Sequence, residues 1–313
     1  MFTAVAALLS GLVLLTGGAY GLVRGASALA LRFGVSPLLV GLTVVALGTS
    51  APELVVSVQA ALQGAGGIAV GNIVGSNIAN VGLILGIAAL IRPIRANRAV
   101  IRRDGIIMIG ASLLVAGLLL DGRLGRPEGA LLLLGLVAYL AWSLRTALRE
   151  RVRAEDELEV SLPADSLGQS LGAAVVGLFV LVLGARLLVD GAVTVAQALG
   201  VSNAVIGLTV VAVGTSLPEL ATSLVAAARG ESDIAVGNVI GSNTFNLLGI
   251  LGMAALTQPL HAPGLASTDL AVMLSLGGGG VLFLATGARL SRLEGIGLLL
   301  VYTGYTGLLA LAA

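Results

Sequence analysis

The sequence predicts an all-α polytopic membrane protein, with ten transmembrane helices arranged as two inverted-topology five-helix repeats. Three observations carry this. The 313 residues are 57% hydrophobic and only 11% charged, against roughly 25% charged in an average soluble protein. Mean hydropathy is +1.06, so most of the chain has lipid as its solvent. A long stretch of the first half also returns in the second half at a fixed offset. The same composition excludes other classes. With no Cys and a net charge of +1, the chain is not a disulfide scaffold or a zinc finger, and it offers no basic field for nucleic acid.

A helix crosses the ~30 Å hydrocarbon core with about 20 apolar residues. On that basis we read spans near 3–23, 38–62, 68–91, 105–120, 127–147, 169–189, 204–228, 234–256, 269–286 and 293–312. They divide the chain into a first five-helix repeat (1–148), a charged linker (149–168) and a second repeat (169–313). The opening MFTAVAALLSGLVLLTGGAY lacks a basic n-region and is read as a retained span rather than a signal peptide. All the basic residues are Arg; ten spans place 14 of the 17 on one side, leaving Arg123, Arg126 and Arg186 on the other. The positive-inside rule then puts both termini outside the cell membrane and the 149–168 loop in the cytoplasm. That loop, RVRAEDELEVSLPADS, reads as a solvated linker, and Gly277 to Gly280 as a place of close packing or bending in span nine.

Residues 41–94 and 207–260 align without a gap at an offset of 166, and 32 of the 54 positions are identical. Shared apolar composition does not explain this, because the matches include Thr49, Ser50, Pro52, Glu53, Asn72, Ser76, Asn77 and Asn80. These are residues a lipid-facing helix avoids, so the chain carries a true internal duplication. Five spans per half is an odd number. The second half therefore enters the membrane from the opposite side, the architecture of many secondary transporters, whose sites lie near the midplane between repeats.

Of the 16 acidic residues, only Glu53 and its repeat partner Glu219 lie deep inside spans. An isolated carboxylate there costs about 2.5 to 3.5 kcal/mol or more, so something must bind, protonate or hydrate it. Gly48-Thr49-Ser50-Ala51-Pro52-Glu53 recurs as Gly214-Thr215-Ser216-Leu217-Pro218-Glu219. The proline should break or kink the helix and free backbone carbonyls, which a membrane tolerates only where they line a cavity or bind something. Thr49 stands four residues before Glu53 and shares its face. Ala46 lies a further turn back, where its small side chain leaves its carbonyl accessible. The next span adds GNIVGSNIAN, with Asn72, Ser76, Asn77 and Asn80, matched by GNVIGSNTFN, with Asn238, Ser242, Asn243 and Asn246. Its Gly71 and Gly75 form a GxxxG pair suited to ordinary helix packing.

The ligand types collected are carboxylates, hydroxyls, amide oxygens and freed carbonyls. The one His, His261, falls in a loop. An all-oxygen set suits hard cations such as Ca²⁺ and Na⁺ and disfavours zinc or copper. One Ca²⁺, two Na⁺ or two protons each neutralise two carboxylates, so these ions compete for the pair. Competition combined with alternating access gives antiport.

At these motifs the sequence resembles the calcium/cation antiporter superfamily, specifically the prokaryotic type of its sodium/calcium exchanger branch. GTSAPEL with GNIVGSNIAN, and GTSLPEL with GNVIGSNTFN, match that family's two alpha-repeats. The resemblance implies that Glu53 and Glu219 are central Ca²⁺ ligands assisted by Thr49 and Thr215. It implies sodium sites built from Ala46, Thr49, Ser50, Ser76 and Glu53, and from Ala212, Thr215, Ser216, Ser242 and Glu219. It places Asn80 and Asn246 beside the central site, and it implies that spans one and six slide across the other eight. Some relatives, including potassium-dependent exchangers, carry Asp where this chain has Asn246, which leans against a potassium requirement. The alternatives are proton-coupled or potassium-dependent exchange within the same superfamily. The expectation is a transporter of Ca²⁺ and Na⁺ in the lipid bilayer, not an enzyme, with no cofactor beyond the transported ions and no obligatory protein partner.

Overall fold

The computed structural model describes residues 2–95, 101–155, 166–199, 212–263, 265–287 and 289–312. Helix α1 covers Phe2–Phe33. A broken pair follows, α2 over Pro37–Thr49 and α3 over Ala51–Leu62, bent by 46°. Next come α4 (Gly66–Ile91), α5 (Ile106–Leu118) and α6 (Arg126–Glu155). The second half answers with α7 (Leu167–Ala198) and a second broken pair, α8 (Ala212–Thr215) and α9 (Leu217–Arg229). Then follow α10 (Ser232–Thr257), α11 (Ser267–Gly287) and α12 (Arg292–Ala312). Four two-residue strands lie in the loops: β1 (Ile94–Arg95), β2 (Arg123–Leu124), β3 (Leu260–His261) and β4 (Arg289–Leu290).

Seven helices among the described residues are long and apolar enough to cross a membrane, and the bent pair α2–α3 makes eight. The other two expected spans fall short for identifiable reasons. Helix α5 has only 13 residues after a π-helical turn at Ile101–Gly105. The span expected from 204 begins among residues outside the described set.

Helix ends also differ from the expected span ends. Helix α1 continues past 23 to Phe33, because Arg24 interrupts apolarity without interrupting a helix. What stops it is Gly34 in the left-handed region at φ 62°, where glycine carries no Cβ penalty. Helix α7 likewise runs past 189, and α6 continues into the charged stretch as far as Glu155. Gly277 to Gly280 sit inside the single helix α11, where Gly280 gives room to the Val81 side chain.

Helices α4 and α10 form the centre, with 78% and 83% of their best apolar windows buried, against 28% for α1 and for α7. Outside them α1 and α7 pack on each other along their length through glycines spaced seven residues apart. Gly11 lies against Gly184 and Leu188, Gly18 against Gly177 and Leu181, and Gly25 against Ser170 and Ala174. One set of numbers rises as the other falls, so the two helices run antiparallel. A methyl group at Gly11 would sit 2.6 Å from the Leu188 nitrogen. The missing Cβ therefore lets the backbones approach, and dispersion replaces the hydrophobic term that lipid does not supply.

The strands exchange between halves. β1 pairs antiparallel with β4, setting Arg95 opposite Arg289, and β2 with β3, setting Arg123 opposite His261. Two acid–tyrosine contacts repeat in the same manner. Tyr139 on α6 donates to Asp104 Oδ1 at 3.3 Å, and Tyr305 on α12 to Asp269 Oδ1 at 2.9 Å. The tyrosines keep the 166 offset, but the acids are 165 apart.

Candidate cation site

Pro52 and Pro218 stand at the starts of α3 and α9, where a missing N–H breaks no helical bond. The residues before them, Ser50 at φ −80°, ψ 6° and Ser216 at φ −86°, ψ 6°, leave the helical region and make the breaks. The next turn brings in Glu53 and Glu219, each in the first turn of its helix. There the amide dipoles favour a negative charge. Both side chains are buried, at 0% and 1% exposure.

Each acid is held from the opposite repeat. Ser50 Oγ donates to Glu219 Oε1 at 2.9 Å, and Ser216 Oγ donates to Glu53 Oε1 at 3.1 Å. Ser242 Oγ adds a longer bond to Glu219 Oε1 at 3.4 Å. The threonines cross over too. Thr49 Oγ1 donates to Asn238 Oδ1 at 3.0 Å, and Thr215 Oγ1 to Asn72 Oδ1 at 3.4 Å. Ala46 is buried, and its carbonyl oxygen lies 3.3 Å from Thr49 Oγ1. Ala212 opens α8 at the edge of the described residues, which do not include its side chain.

On α4 and α10 the asparagines interlock. Asn80 Nδ2 donates to Asn243 Oδ1 at 2.9 Å, and Asn246 Nδ2 to Asn77 Oδ1 at 3.0 Å. Both pairs sit where α4 and α10 pass through π-helical turns, Asn80–Leu85 and Phe245–Ile250. Such turns cluster at functional sites. With their amide nitrogens engaged, Asn80 and Asn246 turn their oxygens away from these bonds.

Among the residues expected to bind ions, five buried side-chain oxygens have no hydrogen-bond partner: Glu53 Oε2, Glu219 Oε2, Asn80 Oδ1, Asn246 Oδ1 and Ser76 Oγ. Orphaned polar atoms are costly in a low-dielectric interior. All five are oxygens and two are carboxylate, the donor types that a hard cation takes. No group of three or more His, Cys, Asp or Glu occurs among the described residues, so any cation here has two acids and otherwise neutral ligands. His261 is in β3, in a loop.

The structure thus gathers the residues in two matching groups, Glu219 with Ser50, Ser242 and, through Asn238, Thr49, and Glu53 with Ser216 and, through Asn72, Thr215. Asn80 and Asn246 are bonded across α4 and α10 to Asn243 and Asn77. Sequence reasoning singled out Asn72 and Asn238 as polar members of their spans, without a role, and passed over Ser57 and Ser223. Asn72 Nδ2 reaches Ser57 Oγ at 3.0 Å and the Glu53 carbonyl at 3.5 Å. Asn238 Nδ2 reaches Ser223 Oγ at 3.0 Å and the Glu219 carbonyl at 3.3 Å. Ser57 and Ser223 are one helical turn beyond the acids and match at the 166 offset, which was the available signal. Gly237 and Gly241 on α10, the counterparts of the GxxxG pair Gly71 and Gly75, touch the backbone of α2 at Leu38 and Leu42. The residues equivalent to Leu38 and Leu42 in the second half lie outside the described set.

Known proteins resemble this chain in sequence and fold. The family model for the sodium/calcium exchanger protein matches twice, over residues 3–145 and 169–311. The chain is 39% identical to the inner membrane protein YrbG of Escherichia coli K12 over 88% of this chain and 86% of that one. It is 36% identical to the sodium/calcium exchanger MaX1 of Methanosarcina acetivorans over 95% and 96%. A solved structure of the sodium-calcium exchanger NCX_Mj, soaked with 2.5 mM Na⁺ and 0.1 mM Ca²⁺, superposes with a TM-score of 0.86 at 35% identity, covering 97% of each chain. The chain is a membrane antiporter that belongs to the sodium/calcium exchanger protein family.

Proposed function

We propose that the protein exchanges Na⁺ for Ca²⁺ by alternating access at a site shared between its two halves. The observation that carries this is the pair of buried acids, one from each half, each bonded to the other half's serine and each keeping one oxygen without a partner. Glu53 and Glu219 bind Ca²⁺ between them, with Thr49, Thr215, Asn80 and Asn246 contributing neutral oxygens. Na⁺ occupies flanking positions built from Ala46, Thr49, Ser50, Ser76 and Glu53, and from Ala212, Thr215, Ser216, Ser242 and Glu219. Two negative charges accept one Ca²⁺ or two Na⁺ but not both at full charge, so entry of one ion expels the other. Asn246 in place of an acid keeps the site at two carboxylates and supports exchange without potassium.

The topology follows the same reading. The halves (1–148 and 169–313, joined by 149–168) are inverted repeats of five spans each. In support, the equivalent helices α1 and α7 run antiparallel. The ladders also join loops that the arginine count places on one side, Arg95 with Arg289 and Arg123 with His261. Both termini then lie outside and the linker lies in the cytoplasm.

The test is ⁴⁵Ca²⁺ uptake by proteoliposomes under outward gradients of Na⁺, K⁺ or H⁺ applied separately. Uptake driven by Na⁺ alone is expected. Uptake driven only by a pH gradient overturns sodium coupling, and a strict K⁺ requirement overturns the potassium-independent form.

A further inference from the structure

We propose that Asn72 and Asn238 are positioning residues for the transported cation. Each takes the hydroxyl proton of a threonine from the opposite half, so that the hydroxyl oxygen offers only lone pairs to the ion. The proposal rests on the exchanger reading above and goes one layer outward from its ligands.

The chemistry starts from the threonine. A hydroxyl carries one proton and two lone pairs, and it ligates a cation only with the proton pointing elsewhere. Inside a helix the proton ordinarily goes to a backbone carbonyl three or four residues back. For Thr49 that carbonyl is Ala46, 3.3 Å away. Donation there would engage an oxygen that the proposed sodium site needs, and the Ala46 carbonyl already accepts from the Ser50 N–H at 3.0 Å. Asn238 offers the shorter path, with its Oδ1 3.0 Å from Thr49 Oγ1.

The amide cannot present its other end. Asn238 Nδ2 is engaged by Ser223 Oγ at 3.0 Å and the Glu219 carbonyl at 3.3 Å. Both are acceptors for its two N–H groups, which leaves Oδ1 facing Thr49. Asn72 repeats the arrangement with Ser57, the Glu53 carbonyl and Thr215. Each asparagine therefore joins three things: the helix bearing one acid, the serine one turn beyond it, and the threonine of the other half. Aspartate would lose the two donors, and leucine would lose the acceptor. Neither asparagine has an oxygen among the unpartnered atoms of the site, which separates their role from that of the ion ligands.

The experiment is a double-mutant cycle on purified protein, read as ⁴⁵Ca²⁺ bound and the Na⁺ concentration that displaces half of it. Asn238→Leu and Thr49→Val are each expected to weaken ⁴⁵Ca²⁺ binding about tenfold, the size of one well-placed hydrogen bond, and to change the displacing Na⁺ concentration alike. The double variant is expected to be no worse than either single variant, because the asparagine acts through the threonine. Thr49→Ser, which keeps the hydroxyl, should retain most of the wild-type value. Additive effects, or wild-type ⁴⁵Ca²⁺ binding by Asn238→Leu, overturn the proposal while leaving the exchanger reading intact. If Asn238→Leu does not fold, Asn238→Ala in the same cycle gives the same two outcomes. Wild-type protein that binds no ⁴⁵Ca²⁺, or releases none to Na⁺, overturns the exchanger reading and this proposal with it.

Discussion

At one end of the site α2 lies against α10 with backbone touching backbone. Gly41 faces Ile234 and Gly237, Gly237 faces the Leu38 carbonyl, and Gly241 faces Leu42 and Ala46. The Thr49–Asn238 bond continues this contact into the site at 3.0 Å. In the other half the Thr215–Asn72 bond is 3.4 Å long, and the Ser76 hydroxyl has no partner where its repeat counterpart Ser242 donates to Glu219. The same residue types, repeated at a fixed offset, thus make a shorter and fuller set of hydrogen bonds around one acid than around the other. A duplicated sequence does not impose a symmetric structure.

The largest expected effect lies where the halves do not differ. Glu53→Gln and Glu219→Gln should each bring ⁴⁵Ca²⁺ uptake by proteoliposomes to background, since each removes one of only two charges from the site. Uptake surviving one of the two changes would show that the acids are not equivalent partners. A smaller effect concerns the contact between α2 and α10. Gly241→Ala places a methyl group 2.5 Å from the Leu42 carbonyl oxygen and should cost about 1–3 kcal/mol of stability, as overpacking does. A melting temperature unchanged by Gly241→Ala would mean that the two backbones do not touch there. The smallest effect concerns the serines. Ser242 donates to Glu219, whereas the Ser76 hydroxyl is buried without a partner. Ser242→Ala should therefore cost about 1 kcal/mol in thermal unfolding, and Ser76→Ala nothing, because the latter removes an unsatisfied group. A reversed order would place the Ser76 hydroxyl in a bond that its surroundings do not show.

Much of this was legible in the chain. The acids stood out because a buried carboxylate has a cost that must be answered, and the offset of 166 tied each to its counterpart. The break at Ser50 followed from Pro52. The helix ends were not legible, because a lone Arg24 resembles a membrane boundary, while the actual stop is the backbone conformation of Gly34. Asn72 and Asn238 were visible as polar residues, but their service to Thr215 and Thr49 depends on contacts 143 and 189 residues apart in the chain. The π turn at Ile101–Gly105 also escaped notice, because it lies beyond the region where the two halves align.

The strand exchange bears on how such a molecule can come about. β1 pairs with β4 and β2 with β3, while the glycines of α1 fit the backbone of α7. Each acid accepts from a serine of the other half, and Glu219 also from Ser242 of its own. A solitary ancestral half would have left its strands unpaired and these crossing bonds unmade. Two copies of such a half, meeting about a two-fold axis, supply them reciprocally. Covalent fusion then adds a fixed one-to-one ratio and the freedom for each copy to drift.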